Sequence, residues 1–434
     1  MKTLPAGLML ATLLSATVHA ENWGQWRGPF FNGSTTETGL PSTWDKTNNV
    51  AWVAPLPGYS SATPAVWGDS VFVSSPDARK NLNLLCLDRK TGAVRWQKQV
   101  ATGDRDRGRN NMASPSPVTD GKRVFVMFGT GDLAAYDFEG KELWQTNLTA
   151  GEGKFSINWL YGSSPMLYDN KLFVQVLQRT PVPEDYSAAL DGKADRESYL
   201  LCLDPATGKT LWRHARATDA LEEAQEAYST PTPSKTRAGE EIIIVGADYA
   251  TAHSAKTGEE LWRCAGLNPR KERPWRLVPT PVVADGVVVA CGPRRDPVLG
   301  IRDGGAGNVT ETNILWRFKE APSDCVTPLF YQNKLFVLDG DRQVMTCLDP
   351  KTGAKRWQGN LGVKEIFRGS PSGADGKIYC ISETGTAVVL DAGAEFKVLA
   401  TVRMGESPVR SSIAIAHGQL FIRTAKNLYC IGKP

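Results

Sequence analysis

The chain has 434 residues, 41% of them hydrophobic, which is enough to bury a sizeable core. Its 50 lysines and arginines against 46 aspartates and glutamates leave a formal charge of +4, too small and too dispersed for a surface built to hold nucleic acid or an anionic membrane. Eight cysteines without a C-x-x-C-H or a paired C-x-x-C exclude an attached c-type haem and a thiolate zinc site.

In chain order, the opening MKTLPAGLMLATLLSATVHA places one lysine before an apolar run too short to span a bilayer and closes on the small-residue pattern Val18-His19-Ala20. Residues 1–20 are predicted to be a removed signal peptide, with the mature chain starting near Glu21 in a periplasm or outside the cell. No cysteine follows the cut to carry a lipid anchor, and no later segment is apolar for long enough to cross a membrane as a helix. Residues 21–49 read as an N-terminal extension and 50–434 as one repeat domain.

The repeat is a turn of the type x-D-x-x-T-G-x-x-x-W. It appears as CLDRKTGAVRW ending at Trp96, CLDPATGKTLW at Trp212, AHSAKTGEELW at Trp262 and CLDPKTGAKRW at Trp357, with looser copies ending at Trp144 and Trp316 and a degenerate one ending at Leu399. Upstream of each copy lie a Ser/Thr-Pro pair, a short apolar strand, a D-G or N-K turn and a second strand, the pattern of hairpin-connected strands. Each unit therefore holds four antiparallel strands: inner, second, third and outer. Such units predict an all-β, eight-bladed β-propeller with inner strands starting near Thr63, Ser116, Ser164, Thr232, Thr280, Thr327, Ser370 and Ser412. The chain ends without an eighth outer strand, so the segment around Trp52 is expected to complete the last blade and remove its open edge. Cys86, Cys202, Cys347 and Cys430 share one inward position of the repeat and are expected to be buried free thiols. Pairing among the other four stays open.

These turns resemble the repeat of PQQ-like (pyrroloquinoline-quinone-type) propellers, and WGQWRGPFFNGS, from Trp23, is similar to the start of secreted bacterial members. The resemblance implies an eight-bladed ring locked by the repeated tryptophans. It implies no single function, because the scaffold serves quinoprotein dehydrogenases and also non-enzymatic proteins such as the β-barrel assembly lipoprotein of the outer membrane. The dehydrogenases hold the quinone between a tryptophan floor and a disulfide of adjacent cysteines, beside calcium; this sequence has no Cys-Cys pair.

In an up-and-down blade the third-to-outer turns share one face with the inner-to-second turns, and here both are short and alike. They read as structural, with Asp starting the turn and Gly supplying positive φ. The opposite face carries the irregular text at 101–111, 149–162, 220–229, 266–276, 177–199 and 292–310. It is rich in arginine: Arg105, Arg107, Arg109, Arg273, Arg276, Arg294, Arg295 and Arg302, with Arg368 and Arg410 before inner strands at the funnel mouth. Converging guanidinium forks suit an anionic ligand, whereas pairing with Asp104, Asp106, Glu272 and Asp296 would make them ordinary surface ion pairs. Asn111, Trp159, Tyr161 and Trp275 complete the candidate ligand-binding set, and the inner-strand hydroxyls are expected to satisfy backbone groups.

Histidines 214, 253 and 417 fall far apart in the repeat, so neither a metal cluster nor a catalytic triad is expected, and no catalytic residue is assigned. The leading expectation is an exported, non-enzymatic propeller without a cofactor that binds a small-molecule or protein ligand on the arginine-rich face. The alternative is a PQQ-dependent alcohol or sugar dehydrogenase using PQQ with calcium.

Overall fold

Runs of Val, Ile, Leu and Phe broken by glycine turns fold into consecutive hairpins, and the hairpins stack as blades around an axis. The computed structural model describes residues 21–45, 48–294 and 296–433; the expected signal peptide and Arg295 lie outside them. Seven blades follow in chain order over 65–102, 118–147, 166–215, 232–264, 282–318, 329–360 and 372–403. The eighth combines three strands within 414–431 with Val50–Pro55, whose Trp52 lies opposite Cys430. The ring thus closes through an N-terminal strand, as the missing outer strand required.

Hydrophobic packing lies mainly between blades. One buried cluster joins Phe125 and Met127 of blade 2 to Leu172, Val174 and Leu201 of blade 3, and another carries Tyr379, Phe421 and Val73 across blades 7, 8 and 1. The repeated tryptophans act at these seams. The indole N–H of Trp52 donates to Arg89 O at 2.7 Å, that of Trp96 to Phe138 O at 2.8 Å, that of Trp144 to Pro205 O at 3.0 Å and that of Trp316 to Pro350 O at 2.9 Å, each in the next blade. The ring also lies on the next blade's turn glycine: a Cβ on Gly92, with φ +73°, would come within 2.6 Å of Trp52, and one on Gly208 within 2.6 Å of Trp144. Glycine is needed there for the left-handed backbone and for the indole's approach.

The shared cysteine position has the same cause. Cys86, Cys202, Cys347 and Cys430 stand opposite Trp96, Trp212, Trp357 and Trp52 on the paired strands, and Ala135, Ala252 and Gly300 stand opposite the remaining tryptophans. Only a small side chain leaves room beside the indole; a Cβ on Gly300 would meet Trp316 at 2.0 Å. All eight cysteines are free, and seven are buried.

At the axis the inner-strand hydroxyls form a closed circuit. Each Oγ accepts the backbone N–H of the preceding blade's ring residue, in the order Thr63, Ser116, Ser164, Thr230, Thr280, Thr327, Ser370, Ser412 and back to Thr63, at 2.9–3.1 Å. The blade 4 member is Thr230 rather than the expected Thr232. The sequence holds two consecutive Thr-Pro pairs there, and Thr232 sits two residues deeper, donating to Pro281 O at 2.9 Å.

The extension is built into the ring. Trp23 bridges to Val66 of blade 1, Gly24 O accepts from Thr119 N of blade 2, and Gln25 Oε1 accepts from Leu167 N of blade 3. Arg27 is buried and donates to Pro328 O and Pro371 O, at the inner strands of blades 6 and 7, and Gly33 and Thr35 bond the backbone of Gly373. The segment therefore crosses the end of the channel opposite the irregular loops.

Two readings of the loop face need correction. The text at 292–310 is not one loop: Val298–Arg302 is the third strand of blade 5, and Arg302 pairs with Val287 at the opposite face. The glycine-rich stretch after it is not free, because Gly307–Asn308 pairs with Trp262 and Arg263 and makes blade 4 five-stranded. His214 and His253, far apart in the repeat, are neighbours at 5.3 Å, because the outer strand of blade 3 faces the third strand of blade 4.

Candidate functional site

The loops on the irregular face rise from the ends of outer and second strands and surround the axis. They enclose a cavity of about 510 Å³ above the hydroxyl circuit. Five guanidinium side chains line it, Arg109, Arg276, Arg294, Arg368 and Arg410, against two carboxylates, Glu223 and Asp324. Trp159, Trp275 and Tyr228 supply aromatic wall, and Trp26, carried in from the far end of the channel by the N-terminal segment, also lines the cavity.

The arginines are held from behind. Arg410 Nε and Arg109 Nε donate to the same oxygen, Glu383 Oε1, at 2.6 and 2.9 Å, and Arg410 Nη1 reaches Tyr59 Oη at 3.1 Å. Arg368 Nη2 donates to Asp341 at 2.6 Å, while its buried Nε has no partner. Arg276 lies 3.6 Å from Glu223, whose Oε1 also accepts the indole N–H of Trp159 at 3.0 Å. Arg294 stacks on Trp275, 4.3 Å from the ring centre, with Asp324 bonding its backbone N–H at 2.9 Å. These partners differ from those expected: of the four suggested carboxylates, Glu272 and Asp296 pair with Arg270. Arg273 pairs with Glu222, away from the cavity wall.

The remaining candidates divide. Arg107 lies over the rings of Trp159 and Tyr186 at 5.8 and 5.9 Å, and burial lowers the pKa of Arg105; neither lines the cavity. Asn111 is buried and structural, donating to Tyr59 O at 2.7 Å. Tyr161 is fully buried between blades, stacked on Phe155 and bonded to Gln175 O, so it belongs to the core.

Sequence reasoning missed Trp26, Glu223, Glu383 and Cys325. Trp26 stood in the quoted opening motif and Glu383 in a short turn of blade 7, and neither carried a local signal of where the ring would bring it. The Cys325 thiol lies beside Asp324, and burial pushes it up to about 12, so it stays protonated at neutral pH. Below Trp159, Glu226 is fully buried and takes bonds from Tyr186 Oη at 2.6 Å, Asn158 N at 2.9 Å and Tyr228 Oη at 3.1 Å. It ties three wall loops together, and burial pushes its carboxyl up to about 7.

A family model described as outer membrane protein assembly factor BamB matches residues 33–182 and 194–431. The chain belongs to this PQQ-like propeller family. Among solved structures, BamB from Moraxella catarrhalis is similar over 88% of this chain and 96% of its own, at 15% identity and a TM-score of 0.60. Quinohemoprotein alcohol dehydrogenase from Comamonas testosteroni is similar over 95% and 81%, at 12% identity and 0.64. A europium-containing methanol dehydrogenase is similar over 94% and 90%, also at 12% and 0.64. At such identities the likeness shows the fold alone, and the two kinds of relative differ in function. No curated protein matches this chain in sequence.

The residues present do not fit a quinone held with calcium in the way the resemblance implies. The cavity offers one thiol, Cys325, and the sequence has no adjacent cysteines to form the disulfide. Of the cavity's two carboxylates Glu223 is engaged by Trp159 and Arg276 and Asp324 by the Arg294 backbone, and no three His, Cys, Asp or Glu gather as metal ligands among the described residues. No helix among the described residues is long and apolar enough to cross a membrane.

Proposed function

We propose that this protein is an exported, non-enzymatic binding propeller whose arginine-lined funnel takes an anionic ligand, either a free small molecule or an acidic group presented by a partner protein. The observation that carries the reading is the ratio on the cavity wall: five guanidinium groups against two carboxylates, with one buried guanidinium nitrogen unpartnered. Guanidinium forks pre-aligned by Glu383 and Asp341 lose little further freedom on binding a carboxylate or sulfate. The funnel is closed below by Trp26 and the strap, which favours an occupant that enters and leaves by the loop face. The signal peptide expected in residues 1–20 supports the exported part of this reading, a site in a periplasm or outside the cell.

The dehydrogenase reading lacks this support, because the thiol pair and the carboxylate cluster it calls for have no counterpart around the cavity among the described residues. Calorimetric titration with citrate, alongside PQQ plus calcium with dye reduction by alcohols and aldoses, separates the two. The proposal expects citrate binding and no dye reduction. Turnover with the quinone would overturn it.

A further inference from the structure

The floor of the funnel is chemically unlike its mouth. Five members of the hydroxyl circuit, Ser116, Ser164, Thr230, Ser370 and Ser412, line the cavity. Each accepts a backbone N–H from the neighbouring blade, and among the described residues none donates its own O–H to a protein atom. A hydroxyl is one donor and two acceptors, so the circuit uses acceptor capacity and leaves a set of O–H donors around the axis. Beside them Trp26 lines the cavity, and its position is fixed from both sides. Gln25 is tied to blade 3, and the guanidinium of Arg27 is buried on carbonyls of blades 6 and 7.

An indole, several hydroxyl donors and arginines lining the same cavity are complementary to a ligand with three properties: a flat apolar face, many hydroxyl acceptors and an anionic group. We infer that the funnel binds an acidic sugar, a uronic-acid-type pyranose or short oligosaccharide, with its ring against Trp26, its hydroxyls on the serine and threonine donors, and its carboxylate among Arg368, Arg410 and Arg276. The inference rests on the anion-binding reading above and names the class of anion. The cavity of about 510 Å³ is within the ~300–1,000 Å³ of small-molecule sites. An inorganic anion would use the arginines and leave the floor unused.

The test is calorimetry on the full mature chain with digalacturonate, neutral galactose and citrate. Digalacturonate is expected to bind at least about tenfold more tightly than either comparison ligand. Trp26→Leu, checked for an unchanged thermal melt, is expected to weaken digalacturonate by about tenfold while leaving citrate within about twofold. If citrate binds as tightly as digalacturonate, or if Trp26→Leu changes both equally or neither, the sugar assignment falls and the anion site stands. If no anion binds, the parent reading falls with it. The comparison of ligands on the unmodified protein decides the matter even where the variant fails to fold.

Discussion

Replacing Trp52 by alanine tests the closure of the ring at the seam between blades 8 and 1. Trp52 is 7% exposed, packs 6.1 Å from Phe421 of its own blade, lies against Gly92 of blade 1 and donates to Arg89 O at 2.7 Å. Loss of a buried tryptophan costs about 3–5 kcal/mol, of which the orphaned Arg89 carbonyl accounts for about 1 kcal/mol. Trp212 is the internal control: it occupies the same repeat position, but it is only half-buried and its indole N–H has no partner. Trp212→Ala should therefore cost ~1–2 kcal/mol less than Trp52→Ala. The ring is not expected to open completely, because Arg423 still donates to Ser74 O at 2.6 Å and Arg89 to Gln419 at 2.9 Å across the same seam. Urea denaturation followed by circular dichroism gives the stabilities, and limited proteolysis at residues 45–60 reports release of the closing strand. A loss below ~1 kcal/mol for Trp52→Ala, or a loss equal to that of Trp212→Ala, would refute the argument that the seam is locked by this indole.

The other predictions concern turns, titration and thiols. Gly208→Ala, at φ +70° and 2.6 Å from Trp144, should destabilise by roughly 1–3 kcal/mol in thermal melts, whereas Gly376→Ala, with φ +68° and open space around it, should cost only the backbone strain of ~1 kcal/mol. The Glu226 carboxyl is raised from 4.5 to about 7 by burial, so between those values the folded protein holds a proton that the unfolded chain releases. Stability should fall as pH rises through that window by up to ~3 kcal/mol, and Glu226→Gln should flatten the slope; Asp104, raised to about 6 by burial, adds to it with the same sign. A thiol reagent should find almost no reactive cysteine in the native protein and eight after denaturation; a denatured count of six or fewer would show a disulfide.

Much of the fold was legible because each blade repeats the same physical requirements. The turn glycine, the tryptophan four residues beyond it and the small residue opposite that tryptophan are local, and they recur often enough to fix the strand count and the need for an N-terminal closing strand. The errors arose where the repeat was ambiguous or silent. Two Thr-Pro pairs in succession hid Thr230 behind Thr232, and a third strand interrupted by Gly300 made Arg302 look like loop text. Of the candidate site, Arg109, Trp159, Trp275, Arg276, Arg368 and Arg410 do meet at one cavity, because loop position on the blade decides the face. Tyr161 and Asn111 sit in the same loops but turn inward, a choice made by packing against Phe155 and by the Tyr59 carbonyl, which sequence spacing cannot report. Trp26 was hidden because its place depends on a strap that bonds six different blades.

Recognition of an anion by the cavity arginines, as proposed above, can be measured outright. Citrate affinity of the unmodified protein and of the Arg368→Met, Arg410→Met double variant, measured by calorimetry at low and at physiological salt, tests it most directly. One site is expected, its affinity falling by at least about a hundredfold in the variant and weakening with added salt. Affinity unchanged by removing both guanidinium groups would contradict it.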